Sequence, residues 1–235
     1  MALFAISDLH LAIGIDKPMD IFGMIWEDHA NQIEKAWKSS ISPEDTVVIP
    51  GDITWAMTML QATEDFEFIE RLPGRKVILK GNHDYWWSSV TKIENYFSEK
   101  GFTSIKLLKN NYFRIDDNTL LCGTRGWILP CDNTFKPADM VIYNRELGRL
   151  RTSLSQANID RGENDRIIAA LHYPPLLPSC RDTEFTGLLE EFTVTKCLYG
   201  HVHGNGHEYS FEGVRNNVDY INISADKLAF KPLLV

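Results

Sequence analysis

The sequence predicts an α/β fold, and three observations carry that expectation. Short apolar runs at residues 3–6, 46–49, 77–79, 120–123, 167–171 and 196–199 look like buried strands. Stretches with helical periodicity separate them, as parallel β–α units require. Antiparallel pieces interrupt the alternation: Tyr112 to Ile115 and Leu120 to Cys122 flank Asp116-Asp117-Asn118, a hairpin turn, and residues 208–224 read as strands around Gly213.

The helices follow in order. Residues 24–40 form the first, with Ile25, Ala36 and Trp37 among its apolar positions, before Pro43. Residues 57–72 form the second, which stops at Pro73-Gly74. The third is well punctuated: Ser88 or Ser89 caps it, Val90, Ile93 and Phe97 share a face, and Gly101 follows its end. In residues 139–156, Met140, Tyr143, Leu147, Leu150 and Leu154 recur at steps of three and four, the pattern of core packing.

The chain has 235 residues, 44% of them hydrophobic, and no repeat, low-complexity tract or linker marks a second domain. No stretch has the apolar length of a membrane span. The first strand begins almost at Met1, so a cleavable signal peptide would remove part of the fold. The four cysteines, Cys122, Cys131, Cys180 and Cys197, are widely separated and form no Cys-x-x-Cys, which reads as reduced thiols in the cytoplasm. A net charge of -8 has the wrong sign for gripping a long nucleic-acid backbone, although bound cations offset it locally.

Five apolar runs end in polar residues able to bind a metal: Asp8-Leu9-His10, Gly51-Asp52, Gly81-Asn82-His83-Asp84, His172, and Gly200-His201-Val202-His203. Loops at the carboxyl ends of strands converge in α/β folds, so these segments can meet. Each has an ordinary alternative. Asp8 and His10, one residue apart on an extended segment, project to one side, yet Asp-x-His also serves turns. Gly51-Asp52 also suits a helix cap, and Asn82-His83-Asp84 a polar turn. His201 and His203, spaced by two between glycines, match a metal-ligand pair best. His172 alone reads as structural.

In this order the motifs resemble the calcineurin-like metallophosphoesterase superfamily, whose signature covers residues 8 to 203 with no ligand position missing. The resemblance implies a single domain over 1–235: a four-layer α/β/β/α sandwich of two mixed β-sheets flanked by helices. It implies that Asp8, His10 and His203 bind one metal and Asn82, His172 and His201 another, with Asp52 bridging. A bridge needs a carboxylate, which suits Asp52; an amide such as Asn82 offers one carbonyl oxygen.

Similar enzymes hydrolyse phosphoesters with hydroxide formed between two ions and place the His of Gly-Asn-His over the phosphate, so His83 is the expected leaving-group acid. Asp84 either orients His83 or caps the following turn. Asn82, His83 and Arg125 are candidate substrate contacts, with a surface salt bridge the alternative for Arg125. The ligand types suit Mn²⁺, with Fe or Zn²⁺ as alternatives.

The expected substrate is a small phosphorylated molecule, a monoester or diester, with nucleotides among the candidates. Ile53-Thr54-Trp55-Ala56 and Asp84 depart from the protein-phosphatase pattern of Val-Asp-Arg-Gly and Gly-Asn-His-Glu. A nuclease, or a fold that kept its ligands for binding alone, are the rival readings. Trp55, Tyr85, Trp86, Trp87, Trp127, Tyr173 and Arg181 lie near the motifs, as pocket walls or as core plugs. His29 and His207 fall outside the signature and read as ordinary surface or packing histidines.

Overall fold

The structure, a computed structural model, describes all of residues 1–235. The chain divides into two compact units: Met1–Leu107 with Ser224–Val235, and Leu108–Ile223.

The first unit is built on a five-stranded sheet in the order β11-β1-β2-β3-β4. β1 (Leu3–Ala5), β2 (Thr46–Pro50), β3 (Arg75–Leu79) and β4 (Ile105–Leu107) run parallel, and β11 (Leu233–Leu234) closes one edge antiparallel to β1. Every residue of β2 is buried, as expected of a parallel strand covered on both faces. α1 (His29–Ser40), α2 (Thr63–Arg71) and α3 (Val90–Lys100) contribute Ile33, Trp37, Phe66, Ile69, Ile93 and Phe97 to one core with Val47, Ile49 and Ile78.

α3 is as the sequence predicts: the Ser89 hydroxyl accepts from Lys92 N, and Gly101 ends the helix in the left-handed conformation. The first helix is shorter than expected. Residues 20–22 and 24–26 form two 3-10 turns, and Asp28, at φ 53°, interrupts the chain before α1 begins at His29. Ile25 is consequently exposed rather than part of a helical face. α2 likewise starts at Thr63 instead of residue 57.

The second unit carries a six-stranded sheet in the order β5-β6-β7-β8-β10-β9. β6 (Thr119–Thr124), β7 (Arg166–Leu171), β8 (Val194–Tyr199) and β10 (Val218–Asn222) are parallel. β5 (Tyr112–Asp116) and β9 (Gly213–Arg215) pair antiparallel at the edges, which places the expected hairpin and the expected tail strands. α4 (Asp139–Ile159) buries Tyr143, Leu150 and Leu154 as the periodicity requires, whereas Met140 is exposed. Glu146 and Ser153 share the buried face. α5 (Glu184–Glu191) and β4 have no counterpart in the sequence reading; α5 is fixed by a capping box between Thr183 and Thr186.

The chain is therefore α/β, with two mixed sheets flanked by helices. No helix is long and apolar enough to cross a membrane. The cysteines correct the expectation of four free thiols. Cys131 and Cys180 form a disulfide across 49 residues, with Cα atoms 6.5 Å apart, while Cys122 and Cys197 are free and buried. Spacing along the chain hid this pairing because the two cysteines lie in segments after β6 and β7, which are neighbours in the sheet.

Candidate metal centre

In the first unit, the loops after β1, β2 and β3 lie side by side. Asp8 N donates to Gly51 O at 3.0 Å, His10 N to Asp52 O at 3.0 Å and Leu11 N to Ile53 O at 2.9 Å. The loop after β1 thus continues along the loop after β2 beyond the regular sheet. Its backbone is not the extended segment expected from Asp-x-His: Asp8 and His10 have φ of 61° and 47°, and Asp52 has φ of 50°. His201 in the other unit shares this conformation at 72°. Of the eleven non-glycine residues with positive φ, four are therefore candidate ligands. Such conformations cost free energy and persist where surrounding bonds enforce them, a common feature of functional sites. The outcome here is that His10 Nε2 lies 3.8 Å from Asp52 Oδ2, with both side chains buried.

Gly81 makes this arrangement sterically possible. A Cβ at residue 81 would sit 2.1 Å from Asp52 Oδ1 and 2.2 Å from Asp52 N, so no side chain fits. The Asp52 carboxylate also accepts from His83 N through Oδ1 at 2.8 Å. Asp84 is completely buried, and its carboxylate gathers the two loops: it accepts from Gly81 N at 2.7 Å, Asp52 N at 2.9 Å, Ile53 N at 3.0 Å and the Trp86 indole at 2.9 Å. Asn82 and His83 are half-buried beside it.

Two supports brace these loops; the sequence reading missed the first and named the second only as a pocket wall or core plug. Asp65 on α2 accepts from Ile13 N at 2.8 Å and from the Thr54 hydroxyl, tying the loop after β1 to the loop after β2. Its signal was available: it lies on the helical face of Phe66, Phe68 and Ile69 and is buried with them. Burial raises its pKa, opposed by the Thr54 and Ile13 bonds. The second support is Trp55. Its ring stacks on His10 with centroids 4.8 Å apart and lies 4.3 Å from His83, while Lys17 Nζ sits 3.4 Å over it. Trp86 is a buried plug, Trp87 packs against the core and Tyr85 is exposed. His29, outside the signature, packs on Trp26, and its Nε2 lies 3.3 Å from His10 O, so it braces the same loop.

In the second unit, His172 follows β7, and His201 and His203 follow β8. Gly200 N donates to His172 O at 3.0 Å, which registers the two strand ends. The His172 and His201 rings are 5.1 Å apart, and Tyr173 packs 4.1 Å from His201. His172 is fully buried; His201 and His203 are half-buried. Arg125 O accepts from His172 N at 3.0 Å and Tyr173 N at 2.9 Å. The Arg125 side chain does not form the surface ion pair weighed from the sequence: it is largely buried and lies 3.6 Å from buried Glu146. His207 packs with Asn222.

The donor chemistry fits a divalent cation. Asp8 and Asp52 are buried carboxylates beside an imidazole, a set whose burial is costly without a compensating positive charge. Oxygen and imidazole donors together suit hard or borderline divalent ions.

A divalent-metal-binding protein is the class that this donor set on an α/β fold defines. The chain belongs to the calcineurin-like phosphoesterase family, whose sequence profile matches residues 1–205. It is 40% identical over 80 residues to the Gene 66 protein of Mycobacterium phage L5, a match spanning 33% of this chain and 37% of the phage protein. Among solved structures it resembles the phosphopantetheinyl hydrolase of Mycobacterium tuberculosis at a TM-score of 0.60 and 13% identity, over 100% of this chain and 95% of that one. A protein of unknown function from Aquifex aeolicus matches at 0.51 and 17% identity, over 99% and 95%. At these identities the structural likeness speaks for the fold.

Proposed function

We propose that the chain hydrolyses phosphoester bonds of a small phosphorylated molecule at a dinuclear metal centre. Its ligands are Asp8, His10, Asp52, Asn82, His172, His201 and His203. The groups Asp8, His10, His203 and Asp52, His172, His201, in which each residue offers one ligand atom, support an assignment of one ion to each, with Asn82 joining the second. Asp52 is the bridge in this reading. The observation that carries it is the buried Asp52 carboxylate, whose Oδ2 faces His10 while its Oδ1 is held by His83 N.

Bound divalent ions supply Lewis-acid polarisation of a phosphoryl oxygen and a nucleophilic water at neutral pH. The chain's own residues do the rest. Asn82 and His83 hold the phosphate, and the His83 imidazole donates the proton taken by the leaving oxygen. Trp55 fixes the His10 and His83 rings by packing. Asp84 is a positioning residue, because its carboxylate is occupied by backbone N–H groups of the ligand loops.

Manganese is the proposed metal, with iron or zinc as alternatives. The net charge of -8 favours a small substrate over nucleic acid. The cytoplasm is the proposed location, although a bond such as Cys131–Cys180 is rare there. Assays with Mn²⁺ against p-nitrophenyl phosphate and bis-p-nitrophenyl phosphate test the activity and separate monoesterase from diesterase. Turnover of neither by metal-loaded protein contradicts general phosphoester hydrolysis and favours a binding role.

A further inference from the structure

Beside His172 the second unit gathers an uneven set of charges around one buried carboxylate. Glu146, on the inner face of α4, is 1% exposed and is approached by three guanidinium groups. Its two oxygens are already taken at hydrogen-bond distance: Oε1 by Arg149 Nη1 at 2.6 Å and Oε2 by the Thr124 hydroxyl at 2.8 Å. Arg125 and Arg145 reach Oε1 only at 3.6 and 3.5 Å, beyond a good hydrogen bond. Three positive charges thus face one negative charge. This excess of two stands out in a chain whose net charge is -8.

Arg125 is the most telling member. Its side chain is 13% exposed, and its Nε is buried with no hydrogen-bond partner. A desolvated charged donor left unmatched is costly, so its retention calls for an anionic acceptor. The guanidinium is also held in a fixed plane. It stacks 4.4 Å over the Trp127 ring, the Trp127 indole donates to Asp139 at 3.0 Å, and Trp127 packs 5.2 Å from Tyr173, the residue next to His172. Gly126 permits this close packing, since a Cβ there would lie 3.3 Å from Tyr173 Cβ. A planar guanidinium, preorganised by stacking and short of an acceptor, matches a phosphate group.

We propose that Arg125, Arg145 and Arg149 bind a second phosphate group of the substrate, so that the preferred substrate carries one phosphate to be cleaved and another held here. The proposal rests on the phosphoesterase reading of the neighbouring histidines and adds a substrate class to it. A dianionic phosphate matches the excess of two charges and reaches the cluster through Arg145 and Arg149, which are 49% and 31% exposed.

Two measurements test it on the full-length protein. In the first, kcat/KM is compared for propyl phosphate and for propane-1,3-diyl bisphosphate. The native enzyme prefers the bisphosphate by about tenfold or more, the worth of one or two charge-assisted hydrogen bonds. Arg125→Ala and the more exposed double variant R145A/R149A each bring that ratio towards one. A native ratio of one, with both esters hydrolysed, overturns the second-phosphate site while leaving phosphoesterase activity intact.

In the second, inorganic phosphate is titrated into EDTA-treated protein by calorimetry, a readout independent of turnover. Saturable binding that is lost in Arg125→Ala and weakened in R145A/R149A supports the site, even if no tested ester is hydrolysed. Absence of binding, or binding unchanged in both variants, contradicts it.

Discussion

A Cβ on Gly81 would stand 2.1 Å from Asp52 Oδ1, so the loop after β3 touches the proposed bridging carboxylate through bare backbone. Gly81→Ala therefore has to displace Asp52 or the loop itself. Displacements of about 1 Å at a catalytic group cost roughly a hundredfold in rate. We expect kcat/KM to fall by at least that factor, with metal content reduced and far-UV circular dichroism unchanged. Native activity in Gly81→Ala would mean that Asp52 does not need its observed position.

Asp65 ties the loop after β1 to the loop after β2 through Ile13 N and the Thr54 hydroxyl. Asp65→Ala leaves both donors buried and unmatched, at a cost of about 1–3 kcal/mol each. Asp65→Asn retains an acceptor for Ile13 N but turns its NH2, a donor, toward the Thr54 hydroxyl, which then has to accept instead of donate. Burial raises the Asp65 pKa, so its contribution is greatest below pH 3.8 and falls as pH rises through the folded-state value. At pH 7 the uncharged Asn, which keeps the Ile13 bond, is thus expected to lose less stability than Ala. Urea unfolding midpoints of the two variants check this, and equal losses would count against it.

Lys76 is buried in β3, with Nζ donating to Leu72 O and to Ser104 Oγ at 2.9 Å. Burial lowers its pKa from 10.5 to about 8. The charged form is disfavoured in the fold, so this group's contribution is fully present above pH 10.5 and is lost as pH falls through 8. The stability of the native protein relative to Lys76→Met is predicted to rise between pH 8 and 10.5. Denaturant titrations of both proteins at pH 7.5 and 10 give the sign, and a difference independent of pH contradicts the shift.

The Cys131–Cys180 bond closes a span of 49 residues. In the chain-entropy account a loop of this size is worth roughly 4 kcal/mol. Thiol titration of air-oxidised, denatured protein should find two thiols, and four after reduction. In the native fold burial pushes the Cys122 thiol up to about 12 and raises Cys197 as well, so neither should react. Reduction should lower the unfolding midpoint measurably. Four thiols in protein purified without reductant would support the reduced state that the sequence suggested.

The strands and their polar ends were legible because buried parallel strands write themselves as apolar runs and their ligand loops follow at once, as in β2 and Asp52. The helices were harder at their starts. Asp28 breaks the first at a left-handed residue that no apolar periodicity reports. The disulfide and the Arg125–Glu146 cluster were invisible for another reason: the first joins segments that follow neighbouring strands and the second joins the end of β6 to the buried face of α4, and spacing reports neither. Glu146 did leave a trace, since it falls three residues after Tyr143 and four before Leu150 on the buried stripe of α4. The left-handed backbone at Asp8, His10 and His201 also differs from the extended geometry that their alternate spacing implied.

The central claim is that Asp52 bridges two metal ions while His83 serves the phosphate. Elemental analysis of Mn-loaded native protein, Asp52→Asn and His83→Ala, each with its rate on a phosphoester, tests it most directly. The account predicts two ions per native chain. It predicts loss of both metal and turnover in Asp52→Asn, and two retained ions with most of the rate lost in His83→Ala. Full occupancy with native activity in Asp52→Asn, or metal loss in His83→Ala, would contradict it.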